Sequence, residues 1–101
     1  MIARIWNGRT VRGNAGAYVA HLRDHTFPAL SSIPGQRGGY VLTRARGAIV
    51  EFTVMTLWES LDAIRRFAGD DDPEAAVVPS AAQALLASYD ARAVHWEVVL
   101  P

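Results

Sequence analysis

Three histidines, three tryptophans and three tyrosines hold most of the chemistry this 101-residue sequence can offer. His21 and His25 stand four apart in His21-Leu22-Arg23-Asp24-His25, a spacing that puts both imidazoles on one face of a helix. Two imidazoles so placed begin a metal site, and His95 is the candidate for a third ligand. The metalloprotease pattern, however, needs Glu directly after the first His, and Leu22 occupies that place. The better functional reading of His21 and His95 is hydrogen bonding to a substrate oxygen, or general acid–base work, because imidazole as a side chain titrates near neutrality. Against this stands simple packing at a helix edge for His21 and a place at a subunit interface for His95. His25 falls near the end of its helix, where the dipole favours a cation, and reads as structural or exposed.

The aromatic residues divide in the same way. Trp58 ends a strand at a corner, either as core or as the wall of a pocket for a planar substrate. Tyr40 offers a hydrogen bond from a pocket rim, with plain sheet packing as the alternative. Trp6 and Trp96 fit a core or an interface. The catalytic candidates are therefore His21, Trp58 and His95. The candidates for substrate contact are Tyr18, Tyr40, Phe67 and Trp6. Arg4 and Arg44 could pair with an anionic substrate, although Arg44 adjoins a turn and reads as solvated. No set of residues suggests a cofactor or metal ligand sphere.

Several chemistries are excluded by composition. Cysteine is absent, which removes disulfides, thiolate nucleophiles and thiolate metal ligands. The ten basic residues are all arginine, so a Schiff-base lysine is impossible. Ten acidic residues balance them, and this neutrality gives no electrostatic reason to expect nucleic acid or an anionic membrane as partner. The Asp70-Asp71-Asp72 run reads as a helix start, not a Mg²⁺ site. Gly35, Gly38 and Gly39 follow a helix and lead into a strand, the reverse of a phosphate loop. A Gly-x-Ser-x-Gly nucleophile elbow is also missing. The N-terminus enters a strand-like pattern with no signal-peptide core, and no apolar run reaches the ~20 residues of a membrane span. The expected location is the cytoplasm.

The elements that must position these residues follow from periodicity. Ile2 to Asn7 reads as a strand and Gly8 to Gly13 as a turn-rich connection. Asn14 would cap a helix from Ala15 to about Phe27, which Pro28 should end. Tyr40–Arg44 and the stretch ending at Trp58 form a hairpin through Arg46-Gly47. In the second of these strands Val50, Phe52, Val54 and Trp58 share one face, while Ile49, Met55 and Leu57 share the other, so both faces need a cover. Ser60 caps a helix to about Phe67, with Leu61, Ile64, Phe67 and Ala68 buried and Gly69 as its stop. Asp72-Pro73 would restart a helix, Pro79 would break it, and Ser80 would cap a short one through Leu86. Ala93–Leu100 alternates as a last strand. The order β-α-β-β-α-β over residues 1–101 predicts one α+β domain of ferredoxin-like type, an antiparallel sheet with its helices on one face. The bare face would be buried in a homodimer.

Five segments in order carry a family resemblance: Met1-Ile2-Ala3-Arg4-Ile5-Trp6, His21-Leu22, Ile33-Pro34-Gly35 with Gly38, Glu51-Phe52 through Leu57-Trp58-Glu59-Ser60, and Val94-His95-Trp96-Glu97-Val98-Val99. Together they resemble the antibiotic biosynthesis monooxygenase family of the dimeric α+β barrel superfamily. The resemblance implies a homodimer and a cofactor-independent monooxygenase acting on a small aromatic or polyketide-type substrate in a pocket between helices and sheet. Non-oxidative cyclisation or isomerisation of a polyketide, or non-catalytic binding of a small molecule, are the alternatives. Some relatives degrade heme with an Asn on the first strand, a Trp ending the third and a His on the later helix. Trp58 matches that Trp. Asn7 is a tempting match for the Asn, but alignment through Arg12-Gly13 puts Trp6 there. Pro73 to Leu86 contains no His, which makes heme degradation the weaker expectation.

Overall fold

The computed structural model describes residues Met1–Pro101. Five strands form one sheet: β1 (Ile2–Val11), β2 (Gln36–Arg46), β3 (Ile49–Trp58), β4 (Ser88–Tyr89) and β5 (Val94–Glu97). The order is β2-β3-β1, and β1 then pairs along its far edge with both β4 and β5, all antiparallel. β4 and β5 are thus two halves of one broken fourth strand, and the fold is the ferredoxin-like α+β arrangement.

The faces of β3 separate as its alternation predicts. Phe52, Val54, Thr56 and Trp58 are buried beneath the helices. β1 is in register with it, Trp6 opposite Val54 and Arg4 opposite Thr56, which turns Arg4, Trp6 and Gly8 to the same side. The other face carries exposed Tyr40, Leu42, Val94 and Trp96. Two apolar clusters form the core, one around Tyr18, Leu22 and Phe52, the other around Leu30, Trp58 and Ile64.

The first helical region departs from expectation at both ends. It starts at Arg12, directly from the strand, and Asn14 lies inside it with Nδ2 donating to Leu85 O at 3.3 Å, so Asn14 is no cap. The region runs as α1 (Arg12–His21), a π-helical segment (Leu22–Thr26) and α2 (Phe27–Ser31). Pro28 does not end it. The widened turn, in which Phe27 N–H reaches Leu22 O, absorbs a proline that has no N–H and whose ring would crowd a regular turn.

α3 (Leu61–Ala68) is capped by Ser60, whose Oγ accepts from Ala63 N–H, and is closed by Gly69 at φ 95°. Asp72-Pro73 does not restart a helix. The segment instead pairs along Ala91–Ala93, with Ala76 N–H donating to Ala91 O and Ala93 N–H to Glu74 O. Only α4 (Ser80–Gln83) follows, shorter than the helix expected through Leu86 and without a side-chain cap from Ser80. The last strand stops at Glu97, not Leu100. Val98 N–H already donates to Met1 O, and β1 has no residue left to pair with Val99. On the opposite edge, β2 is longer than Tyr40–Arg44, and its register shifts between Gln36 and Gly39. A Cβ on Gly39 would fall 2.1 Å from Met55 O, so only glycine permits this approach.

Candidate functional site

A cavity of about 60 Å³ lies between the sheet and the helices. β1 supplies Arg4 and Trp6, and β3 supplies Val54 and Thr56. Tyr18 and His21 come from α1, Leu22 and Thr26 from the π-helical segment, and Leu30 from α2. Phe67 of α3, Ala82 of α4 and the connection Val77-Val78-Pro79 close it. The lining is mostly apolar, and it contains no carboxylate.

His21 brings an unusual group to this space. Its Nε2 is buried and has no hydrogen-bond partner. The ring stacks against Tyr18 with centroids 6.3 Å apart and planes 12° apart, while Tyr18 meets Phe52 edge-on at 4.9 Å. Burial pushes the Tyr18 phenol up to about 12, so it stays neutral near pH 7. Trp6 is fixed by its indole N–H, which donates to Asp90 O at 2.7 Å across the break between β4 and β5. Its ring lies over Gly8, where a Cβ would come within 2.8 Å of Trp6 Cη2.

Arg4 is the one permanent charge on the lining and is only 4% exposed. Its guanidinium donates to Pro73 O, to Ala75 O at 2.7 Å and to His95 Nε2 at 2.9 Å. Because Arg has no acceptor, His95 must accept through Nε2, which fixes it as the neutral tautomer protonated at Nδ1. Desolvation first, and the nearby Arg4 charge second, push the His95 imidazole below its usual value. Burial likewise lowers Arg4, partly offset by Glu74 and Asp72. The Phe67 ring lies 5.7 Å from Arg4 Cζ, a cation–π distance.

The candidates from sequence thus separate. His21, Tyr18, Trp6 and Phe67 meet around one cavity. Trp58 lies outside its lining: the ring is fully buried, stacks on Phe67 at 5.8 Å, and donates from Nε1 to Thr56 Oγ1 at 2.9 Å. It holds Thr56 and leaves that hydroxyl's own proton free for the cavity. His95 sits behind Arg4. Tyr40 is 63% exposed on the opposite face of the sheet, where no packing against the helices can bring it to this cavity. His25 is exposed, its ring 5.5 Å from His21, and no group of three or more His, Asp or Glu side chains is arranged to hold a metal ion. Sequence reasoning gave Arg4 only passing weight. The signal was a charge at a position alternating with Ile2 and Trp6, on the face that packs under the helices.

This ferredoxin-like sheet with its helix-covered cavity is shared with solved structures that include a heme degrader and an antibiotic biosynthesis monooxygenase candidate. The chain is similar to MhuD from Mycobacterium tuberculosis, a heme degrader seen with two hemes in its active site, with TM-score 0.62 and 23% identity over 100% of this chain and 98% of that one. It is similar to a point variant of MhuD with two manganese protoporphyrin IX bound per active site, with TM-score 0.64, 25% identity and coverages of 100% and 97%. A third likeness is to a candidate antibiotic biosynthesis monooxygenase from Chloroflexus aurantiacus J-10-fl, with TM-score 0.61, 19% identity and coverages of 99% and 94%. No family model matches the sequence, and no curated protein matches it. No helix is long and apolar enough to cross a membrane.

Proposed function

We propose that this chain is a cofactor-independent, monooxygenase-like enzyme acting on a small aromatic substrate in the helix–sheet cavity. The observation that carries the reading is the bare, buried Nε2 of His21 in an otherwise aromatic and aliphatic lining. A buried nitrogen without a partner costs stability, and a substrate proton is the partner that would relieve it. In the mechanism, Trp6, Tyr18 and Phe67 hold the ring and exclude water. His21 Nε2 removes an acidic proton from the bound substrate, leaving a carbanion conjugated with the ring. Neutral Tyr18 and the Thr56 hydroxyl donate to oxygen atoms on which the charge is shared. The electron-rich carbanion then reacts with dioxygen. One oxygen atom remains on carbon as a carbonyl, and the other leaves as water with the two hydrogens lost from that carbon. Residues 1–101 act as one domain, and the site lies within one chain.

The same reading makes the protein a homodimer. Tyr40, Leu42, Val94 and Trp96 expose an apolar patch on the sheet face away from the helices, as a self-complementary interface would require.

Heme is the second reading, favoured by that same unpartnered imidazole and by the MhuD likeness. Against it, the connection and helix from Pro73 to Leu86 carry no His. The test is oxygen uptake by the purified chain with anthrones and hydroxyquinols, without added metal or flavin, beside His21→Ala. Uptake that the variant loses supports the oxygenase reading. Absence of uptake together with a Soret shift on haemin titration replaces it with the heme reading.

A further inference from the structure

The strongest unassigned feature is the buried arginine of the cavity. Its nearest acids, Asp72 and Glu74, favour its charge at longer range but form no ion pair with it. Asp72 and Glu74 reach Arg92 instead, at 2.7 Å and 3.9 Å, on the outside of the connection. Every acceptor that Arg4 does use is neutral: two backbone carbonyls and the Nε2 of His95. Nε and the second hydrogen on Nη2 have no acceptor within the chain. A cation this deeply buried is costly unless paired, and a half-satisfied donor set in a cavity is a binding site for the missing charge. The other titratable groups on the lining are Tyr18 and His21, neither of which supplies an anion.

We infer that Arg4 is a specificity-determining residue that receives a carboxylate, so that the ligands of this cavity are aromatic acids rather than neutral aromatics. The geometry orders the ligand. The carboxylate meets Arg4 at the Thr56–Phe67 end, and the ring extends across Val54 toward Tyr18 and His21. The inference rests on the cavity being the functional site, as proposed above.

The test is calorimetric titration of the full chain with benzoate and with its neutral isostere benzamide. A charge-assisted pair replaced by a neutral contact predicts that benzoate binds roughly tenfold to a hundredfold more tightly. Arg4→Gln is expected to abolish that preference, and Arg4→Lys to keep part of it. Arg4 also anchors the Pro73–Ala75 connection, so a folding-independent readout is added: the ¹⁵N resonance of wild-type Arg4 Nε should shift with benzoate and not with benzamide. Equal affinity of the wild type for both ligands, or a benzoate preference that survives Arg4→Gln or leaves the Nε resonance unmoved, overturns the inference. Preference for the acid without oxygen uptake retains it while removing the oxygenase reading. Oxygen uptake without that preference does the opposite.

Discussion

Replacing His21 by Leu should stabilise the protein while disabling its site. The Nε2 of His21 is buried without a partner, and such a group costs about 1–3 kcal/mol relative to an apolar replacement of similar shape. Two smaller terms act alongside. Stacking with Tyr18 is lost, at about 0.5 kcal/mol, and the better helix propensity of Leu returns a few tenths. From the lower end of that range the net gain is about 1 kcal/mol. With a urea m-value of roughly 1–2 kcal/mol/M for a chain of this length, the midpoint rises by roughly 0.5–1 M. Urea unfolding followed by tryptophan fluorescence reads this directly. His25→Leu is the control, because His25 is exposed on the same helical region and shares the propensity change without the burial; it should stay within about 0.5 kcal/mol of wild type. The reasoning is refuted if His21→Leu unfolds at lower urea than the control. That result would mean that the imidazole is satisfied by an internal water, which a cavity of about 60 Å³ can hold.

Trp58→Phe removes the bond to Thr56 and part of a fully buried ring, so it should cost about 2 kcal/mol in thermal unfolding; a variant as stable as wild type would place this indole outside the core. The folded-state value of His95 lies below the usual 6.5, so the unfolded chain takes up this proton first as pH falls. The stability owed to neutral His95 is therefore fully present above about pH 6.5 and declines below it toward the folded-state value. The unfolding midpoint should fall between pH 7.5 and 5, with a smaller fall in His95→Gln measured by calorimetry; identical profiles would sink the assignment. Trp96→Glu places a charge on the exposed sheet face and should convert the proposed dimer to a monomer in sedimentation velocity, whereas an unchanged sedimentation coefficient would locate the interface elsewhere or show none.

What the sequence made legible was whatever depended on local alternation. The two faces of β3, the cap at Ser60 and the stop at Gly69 are decided by neighbours within a few residues, and each is found where the pattern put it. Elements decided by distant partners were not legible. Asp72-Pro73 is a good helix start in isolation, yet the backbone there is claimed by Ala91–Ala93 and by the Arg4 guanidinium. Pro28 is a breaker in isolation, yet a wider turn before it lets the helix pass. The site divides on the same line. Tyr18 and His21 lie three apart on the helix expected there, and Phe67 is among the buried positions expected of its own helix. Trp58 and Tyr40 stand beyond reach because a residue at a strand's end or edge has its surroundings set by sheet order. Arg4 was legible only as a possible partner for an anionic substrate, because its burial depends on the connection Pro73–Ala75 and on His95, all distant in sequence.

The π-helical segment also acts as a phase offset. An α-helix advances about 100° per residue, and the extra residue within Leu22–Thr26 sets the rotation of α1 relative to α2. Wound as a regular α-helix with every residue kept, that segment would turn the upstream half by a large part of that angle, and Tyr18 and His21 would leave the cavity while α2 kept Leu30 in the core. Deleting one residue together with the wide turn would instead leave both halves in phase. The orientation of the proposed base is thus encoded in the winding of one segment as much as in the identity of residue 21.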